Sequence, residues 1–426
     1  MRQFRQYVLE HCGELPYGSA KVTIDQTLAD SMSPNKVKVE DPFGVITAIR
    51  ERSHRVLAKK TDDGVCTYCK LRDDNSNFFF DNTAATLTGS MGDVMLKIDC
   101  DIYYRSETTA TDTIVYYISL RPAAGYYKMW WSNWMLGVFE ACKSGNYIYS
   151  RAGESVANNI TQGDFQTYAT NRGTGYTQVV WQMHCMMALL YYALYKNTNS
   201  QGSIGYGDTV RDGTAAYKAT GQTAVLGMID TVGENGILLP LYQKGATDQG
   251  NAMSINFWGL ENWWGNYLEW FGDAKALTAG SANLTVWIPD PTTGLLSSSC
   301  ATRVIPVSAI MKQNSSTSWS SSFVKKMRFG QYGDLVNATR TIDGTDATQD
   351  TYYCDTQAMT DLNDSTWAGN GTRVVRRSNN LAYPAGGVAS ANASYAPSLT
   401  VTNGGARLAF SGQSVEAASV AAFLAL

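Results

Sequence analysis

The side chains in this chain of 426 residues that most readily carry nucleophilic, redox or metal chemistry are eight cysteines and three histidines. Cys66 and Cys69 form one Cys-x-x-Cys, while Cys12, Cys100, Cys142, Cys185, Cys300 and Cys354 stand apart. A structural zinc site takes a second ligand pair at comparable spacing, and His11, His54 and His184 do not supply one. The cysteines read as free thiols of a protein made in the cytosol, and no metal site is expected, with calcium left open. A Ser-His-Asp arrangement would have to recruit one of the three histidines, none of which lies near a Gly-x-Ser-x-Gly. Asp361 and Asp364 read as loop caps. Gly202 to Gly207 lacks the Lys-Ser/Thr that completes a phosphate-cradling loop. The expectation is a protein that is not an enzyme.

Binding chemistry has better support. From Ser378 to Leu426 the only charges are Arg407 and Glu416, and the segment from Arg373 to Phe410 alternates apolar and glycine anchors with Asn, Ser and Tyr. A flexible tail has no reason to keep anchors such as Arg373 to Arg376, Gly386-Gly387-Val388 and Leu408-Ala409-Phe410. Tyr offers contact area at low entropic cost, and Ser and Asn offer adaptable hydrogen bonds, the mixture that antibody paratopes use.

These residues need a scaffold, and its centre is Asn256 to Asp273, NFWGLENWWGNYLEWFGD. It holds four of the eleven tryptophans, and its only charges are Glu261, Glu269 and Asp273. So many rings must be buried, with Gly259, Gly265 and Gly272 where the backbone turns or is closely approached. A compact knot is expected here. Thr161-Gln-Gly-Asp164 is a capping box that starts a helix ending near Asn171. Val179 to Lys196 is apolar over most of its circumference and reads as a largely buried helix, with His184 and Cys185 in the core. Strands are expected at Lys21 to Ile24, Val37 to Val39, Val94 to Ile98, Ile102 to Tyr104, Thr113 to Leu120, Leu284 to Ile288 and Thr302 to Val307. Trp130 to Ala141 reads as one or two more. Helices are expected at Arg2 to Cys12 and Val45 to Ala58, a passage between Asn197 and Gly250 reads as irregular loops, and Val415 to Leu426 reads as a last strand or packed tail.

Gly259 to Trp270, GLENWWGNYLEW, resembles the Gly-Asn-x-x-Glu-Trp signature of the formylglycine-generating (sulfatase-modifying factor) branch of the C-type lectin fold. The order of two helices, tryptophan block and late Arg-Leu-Ala-Phe strand is similar to the phage and bacterial branch whose C-terminal surface is diversified by retroelements, a group that includes phage tropism determinants. The resemblance covers roughly residues 91 to 415. Where that branch carries a Leu-Pro-Thr-Glu-x-Glu-Trp type sequence, this chain has Gly175-Tyr-Thr-Gln-Val-Val-Trp181 and loses the acidic pair. The resemblance implies a structural signature of Trp258, Trp263, Trp264, Gly265, Asn266, Glu269, Trp270, Arg407 and Phe410. It also implies a variable surface at about 373–413, displaying Asn379, Asn380, Tyr383, Ser390, Asn392, Ser394, Tyr395, Ser398, Thr400 and Asn403. The late cysteine pair of the formylglycine-forming enzymes is not matched, because Cys354 stands alone after Cys300.

Charged residues are 17% and aromatics 12% of the chain, with a net charge of -3 and no basic stripe, so nucleic acid is an unsuitable partner. No signal peptide and no apolar run of membrane-spanning length is visible. The expectation is an α+β protein: a small mixed N-terminal module at 1–85 that attaches to other virion proteins, then a C-type lectin-like domain at 86–426. On the resemblance, it sits in a phage tail and recognises a host-cell surface glycan or protein, as a homo-oligomer with a trimer favoured. A structural virion protein and a formylglycine-type oxidase are the alternatives.

Overall fold

In the computed structural model the described residues are 18–26, 37–61, 65–107, 113–198, 200–205, 207–208, 217–231, 254–277, 283–306, 322–341, 356–357, 373–377 and 387–426. The fold is α+β, dominated by antiparallel sheet with few helices. The largest sheet has eight strands. Its path runs Tyr176–Gln178, Leu408–Phe410, Met135–Gly137, Asp93–Ile98, Ser53–Lys60, Cys66–Arg72 and Ser414–Glu416, and Asn75–Phe79 pairs with Cys66–Arg72 off this path. A five-stranded sheet has the order Val37–Glu40, Ser19–Asp25, Thr113–Ser119, Ile102–Ser106, Tyr127–Trp130. A six-stranded sheet runs Thr302–Pro306, Asn283–Trp287, Leu268–Leu277, Arg373–Arg377, Ala391–Tyr395, with Gly404–Gly405 parallel to Leu268–Leu277.

This topology corrects two expectations. Val45 to Ala58 is not one helix: the helix is Val45–Glu51, and Ser53–Lys60 is a strand paired on both edges, to Asp93–Ile98 and Cys66–Arg72. The apolar spacing at Val45, Ile46 and Ile49 suits a helix, but Val56 and Leu57 are β-formers claimed by two neighbouring strands, and tertiary pairing wins over local period. For the same reason no structural division falls at residue 85. Strands from residues 53–72 lie inside a sheet that also contains Leu408–Phe410, and one apolar cluster runs from Ala20 to Phe423.

The long helix Trp181–Tyr195 is buried at every residue from Trp181 to Ala193. No side chain of its own N-cap residue, Val180, satisfies its first amides. Asp273, on the Leu268–Leu277 strand, does so instead, accepting from Trp181 N–H at 2.9 Å and from Trp287 N–H at 3.0 Å. The second helix, Gln162–Thr170, is capped as the sequence suggests, with Thr161 Oγ1 accepting from Asp164 N–H at 3.0 Å. The expected strands around Val94, Ile102, Thr113, Leu284 and Thr302 are present, and Trp130 to Ala141 supplies the end of one strand and the whole of Met135–Gly137. The expected helix at Arg2 to Cys12 lies outside the described residues.

Cys66 and Cys69 stand three residues apart on one strand, so they point to opposite faces of the sheet. Cys69 joins the main apolar cluster and Cys66 a second one on the other side, where it packs with Tyr176, Trp270 and Phe410. The two thiols cannot bind one metal ion or bridge to each other from these positions. The other described cysteines are also free.

Candidate functional site

The tryptophan block is a knot of tight turns. Asn256–Phe257 and Leu260–Glu261 form a two-stranded hairpin whose turn residues, Trp258 and Gly259, both have positive φ. Gly265 closes a second turn, where a Cβ would lie 2.5 Å from the Asp208 amide nitrogen. These turns deliver Trp258, Trp263, Trp264 and Trp270 to the interior, each at most 1% exposed.

At its centre lies Glu269. Arg407 Nη2 donates to Glu269 Oε1 at 2.7 Å and Arg377 Nη2 donates to Oε2, with all three side chains essentially inaccessible to water. Arg407 spends its remaining N–H groups on the carbonyls of Gly137, Val138, Glu261 and Asn262, at 2.6 to 3.2 Å. It thereby ties the large sheet to the knot. Arg377 lies 3.5 Å over the Trp263 ring, and burial lowers its pKa to about 10, against the opposing pull of Glu269.

Other carboxylates in this interior hold loops. Glu140 accepts from Asn266 Nδ2 at 2.6 Å and from Tyr267 N–H at 3.1 Å. Glu261 accepts from the amides of Gly221 and Thr223 at 2.7 and 2.6 Å. Burial raises the pKa of both, and for Glu140 the neighbouring Glu269 adds to the rise. Perturbed carboxyls often mark active sites, but these spend their oxygens on backbone and amide donors inside a packed core, which is a structural use. Arg55 plays the matching role from the other side, donating to Gly259 O, Asn256 Oδ1 and Thr223 Oγ1 at 2.8 to 3.0 Å. His184 is buried among Trp181, Trp263 and Phe271, and burial first, then Arg377, pushes its pKa well down, so it is a neutral ring in the core. His54 pairs with Asp73 at 3.0 Å, and no hydroxyl or thiol among the described residues bonds to it.

The exposed surface grows out of this core through one strand. Successive side chains of a strand alternate in direction. Arg377 turns to Glu269, while Arg376 turns to the opposite cluster, 5.0 Å from the Trp270 ring and 4.2 Å from the Tyr395 ring. Beyond Tyr395 the backbone is pinned at three points. Pro397 O accepts from Gln162 N–H at 3.2 Å, Val401 O from Asn159 N–H at 3.0 Å, and Asn403 O from Leu268 N–H at 3.0 Å. Between these points Ser398, Leu399 and Thr400 are exposed, Leu399 at 46%.

The expected display positions therefore divide. Ser398 and Thr400 face solvent, and Tyr395 and Asn403 are half-buried at the margins. Ser390 is corrected from displayed to buried, at 3% exposure: its amide closes a turn onto Gly387 O, beside Val388, whose own amide bonds Ser200 Oγ. Asn392 and Ser394 lie on the Ala391–Tyr395 strand, and Asn379, Asn380 and Tyr383 lie outside the described residues. All nine structural signature positions, from Trp258 to Phe410, are buried. The sequence reading did not single out Tyr217 and Tyr267, whose rings stack at 4.2 Å. Tyr267 precedes the residue that bonds Asn403, and Tyr217 is 39% exposed, so the pair extends the same surface. No local signal joins two tyrosines 50 positions apart. Arg377 was also missed, although it continues a run of anchors already recognised at Arg373 to Arg376.

Among the described residues no group of three or more His, Cys, Asp or Glu side chains could hold a metal ion. No helix among them is long and apolar enough to cross a membrane. No protein-family model matches the chain, and no curated protein matches it.

Proposed function

We propose that this chain is a recognition protein with a C-type lectin-like fold of the retroelement-diversified kind, which binds a host-cell surface glycan or protein without covalent chemistry. The observation that carries this reading is the exposed Ser398-Leu399-Thr400 turn held between three backbone anchors and the stack of buried Arg376 on half-buried Tyr395. Such a turn accepts side-chain substitution without disturbing the scaffold, because its three backbone bonds use main-chain atoms only. Its contact chemistry, hydroxyls around one apolar side chain with tyrosines nearby, suits saccharide or protein surfaces. On the sequence resemblance we place it in a phage tail, made in the bacterial cytoplasm and attached through its N-terminal residues to other virion proteins. We also propose a homo-oligomer, a trimer in the first instance, since avidity makes individually weak sites effective.

Sequencing the DNA flanking the gene tests the diversification directly. A near copy of about codons 373 to 413, differing only where the copy has adenine and lying beside a reverse transcriptase gene, is the expected result. Without such a copy the surface would be one of fixed specificity.

A further inference from the structure

A separate open cavity of about 540 Å³ is lined by Lys59, Lys60, Ser90, Asp93, Arg151 and Arg172, among others. Its lining has four cationic residues, one acidic residue and Leu426, the last residue of the sequence. Asp93 is committed within the fold: Oδ2 pairs with Arg172, and Oδ1 accepts from Ser150 N–H at 2.9 Å. Among the described residues no carboxylate pairs with Lys59, Lys60 or Arg151; Asp62 and Asp63, next along the chain, lie outside them. Among the described residues Lys60 Nζ donates only to the Thr174 carbonyl, at 3.4 Å, and Lys59 Nζ donates to the Phe423 carbonyl, at 3.4 Å, and lies 4.9 Å from the Phe423 ring centre. Arg151 and Arg172 both stack on Tyr149, at 3.5 and 4.2 Å from the ring centre, which fixes their planes, and Arg151 Nε is buried with no hydrogen-bond partner.

Glycines make room for this arrangement. At Gly89, with φ +102, a Cβ would fall 2.4 Å from Arg151 Nε, and at Gly173, with φ +109, 2.1 Å from Lys60 Nζ. Any side chain at either position would displace a cation from the cavity.

We infer that this cavity binds the oxyanion of a small ligand, the chemistry shared by a phosphate group and a sugar carboxylate. Arg151 supplies directed N–H donors from a fixed plane and Lys60 supplies a point charge, while the Lys59 side chain leaves the strand on the other face, over Phe423. The volume is that of a small-ligand pocket, which a monosaccharide-sized group fits. The site is independent of the Ser398–Thr400 surface. Gln162 bonds Pro397 at one end of the Gln162–Thr170 helix and Arg172 lies just beyond the other, so the helix separates the two regions by about 13 Å, at 1.5 Å per residue.

The test is calorimetric titration of the full chain at low ionic strength with inorganic phosphate, glucuronate and, as a neutral control, glucose. Saturable one-site binding of phosphate or glucuronate is expected, with glucose inert, and the preferred anion identifies the source. Lys60→Gln and Arg151→Gln should each weaken it about tenfold or more, the usual effect of losing one charge-assisted contact. Thermal unfolding of Lys60→Gln should match the wild type, and Thr400→Asp should leave anion binding intact whatever it does at the other surface. Absence of saturable binding by both anions, or unchanged affinity in Lys60→Gln and Arg151→Gln, would overturn the inference.

Discussion

Glu269 and Arg407, 138 residues apart in the chain, meet at 2.7 Å with neither side chain more than 1% exposed. The same carboxylate holds Arg377. One carboxylate thus pairs with two buried guanidiniums, Arg377 at the end of the Arg373–Arg377 strand and Arg407 just before the Leu408–Phe410 strand of the large sheet. Glu269→Gln leaves both cations without a carboxylate. A loss of roughly 3–5 kcal/mol in unfolding free energy is expected, measured by urea denaturation, because breaking a buried pair strands an uncompensated charge. A loss below about 1 kcal/mol would mean that the cluster is solvated.

Asp273 gives a pH signature. Burial raises its carboxyl from 3.8 to about 6, against the lowering effect of the Trp181 and Trp287 amides. The folded chain then holds this proton more tightly than the unfolded chain. The contribution of Asp273 is therefore greatest below about pH 4, falls as pH rises through about 6, and is level above. A change of this size corresponds to roughly 3 kcal/mol. The stability of wild type relative to Asp273→Asn should fall by about 1–3 kcal/mol from pH 4 to pH 7. A difference independent of pH would show that Asp273 keeps an ordinary carboxyl.

Thiol labelling separates the cysteines. Burial pushes Cys66 and Cys142 up to about 12 and Cys69 up to about 11, and Cys185 is raised as well. Cys300 is partly exposed, with its thiol 3.3 Å from the Leu295 carbonyl. In native protein at pH 8, iodoacetamide followed by peptide mapping should modify Cys300 at least about tenfold faster than Cys66, Cys69, Cys142 or Cys185, since the thiolate is the nucleophile. A Cys66–Cys69 disulfide in the same map would contradict their placement on opposite faces of one sheet.

Thr161→Ala removes the side-chain cap of the Gln162–Thr170 helix. The expected cost is about 1 kcal/mol in thermal or chemical unfolding. No measurable change would mean that Asp164 or solvent replaces the cap.

What could be read in the sequence was what short-range chemistry decides. The Thr161 cap, the apolar surround of Trp181–Tyr195 and the turn-rich tryptophan block each carry their signal within a few residues. Features settled by distant partners were not legible. Ser53–Lys60 becomes a strand because Asp93–Ile98 and Cys66–Arg72 flank it, and Arg55 within it bonds Asn256 from 201 residues away. Ser390 reads like the serines and asparagines around it because composition cannot distinguish a serine whose backbone turns inward at Gly387 from one at the tip of a loop. Arg376 and Arg377 look equivalent in sequence, and only the side each faces makes one an internal counter-ion and the other a support for Tyr395.

The most direct measurement of recognition at the Ser398–Thr400 turn is binding of purified full-length protein to an array of bacterial surface glycans and whole-cell preparations, wild type beside Leu399→Asp/Thr400→Asp. With unchanged thermal unfolding, the wild type should bind at least one surface, and the double variant should bind it at least about tenfold more weakly, as loss of a central contact residue does. Equal binding by both proteins would remove this turn from recognition, and no binding by the wild type to any surface would favour a structural role.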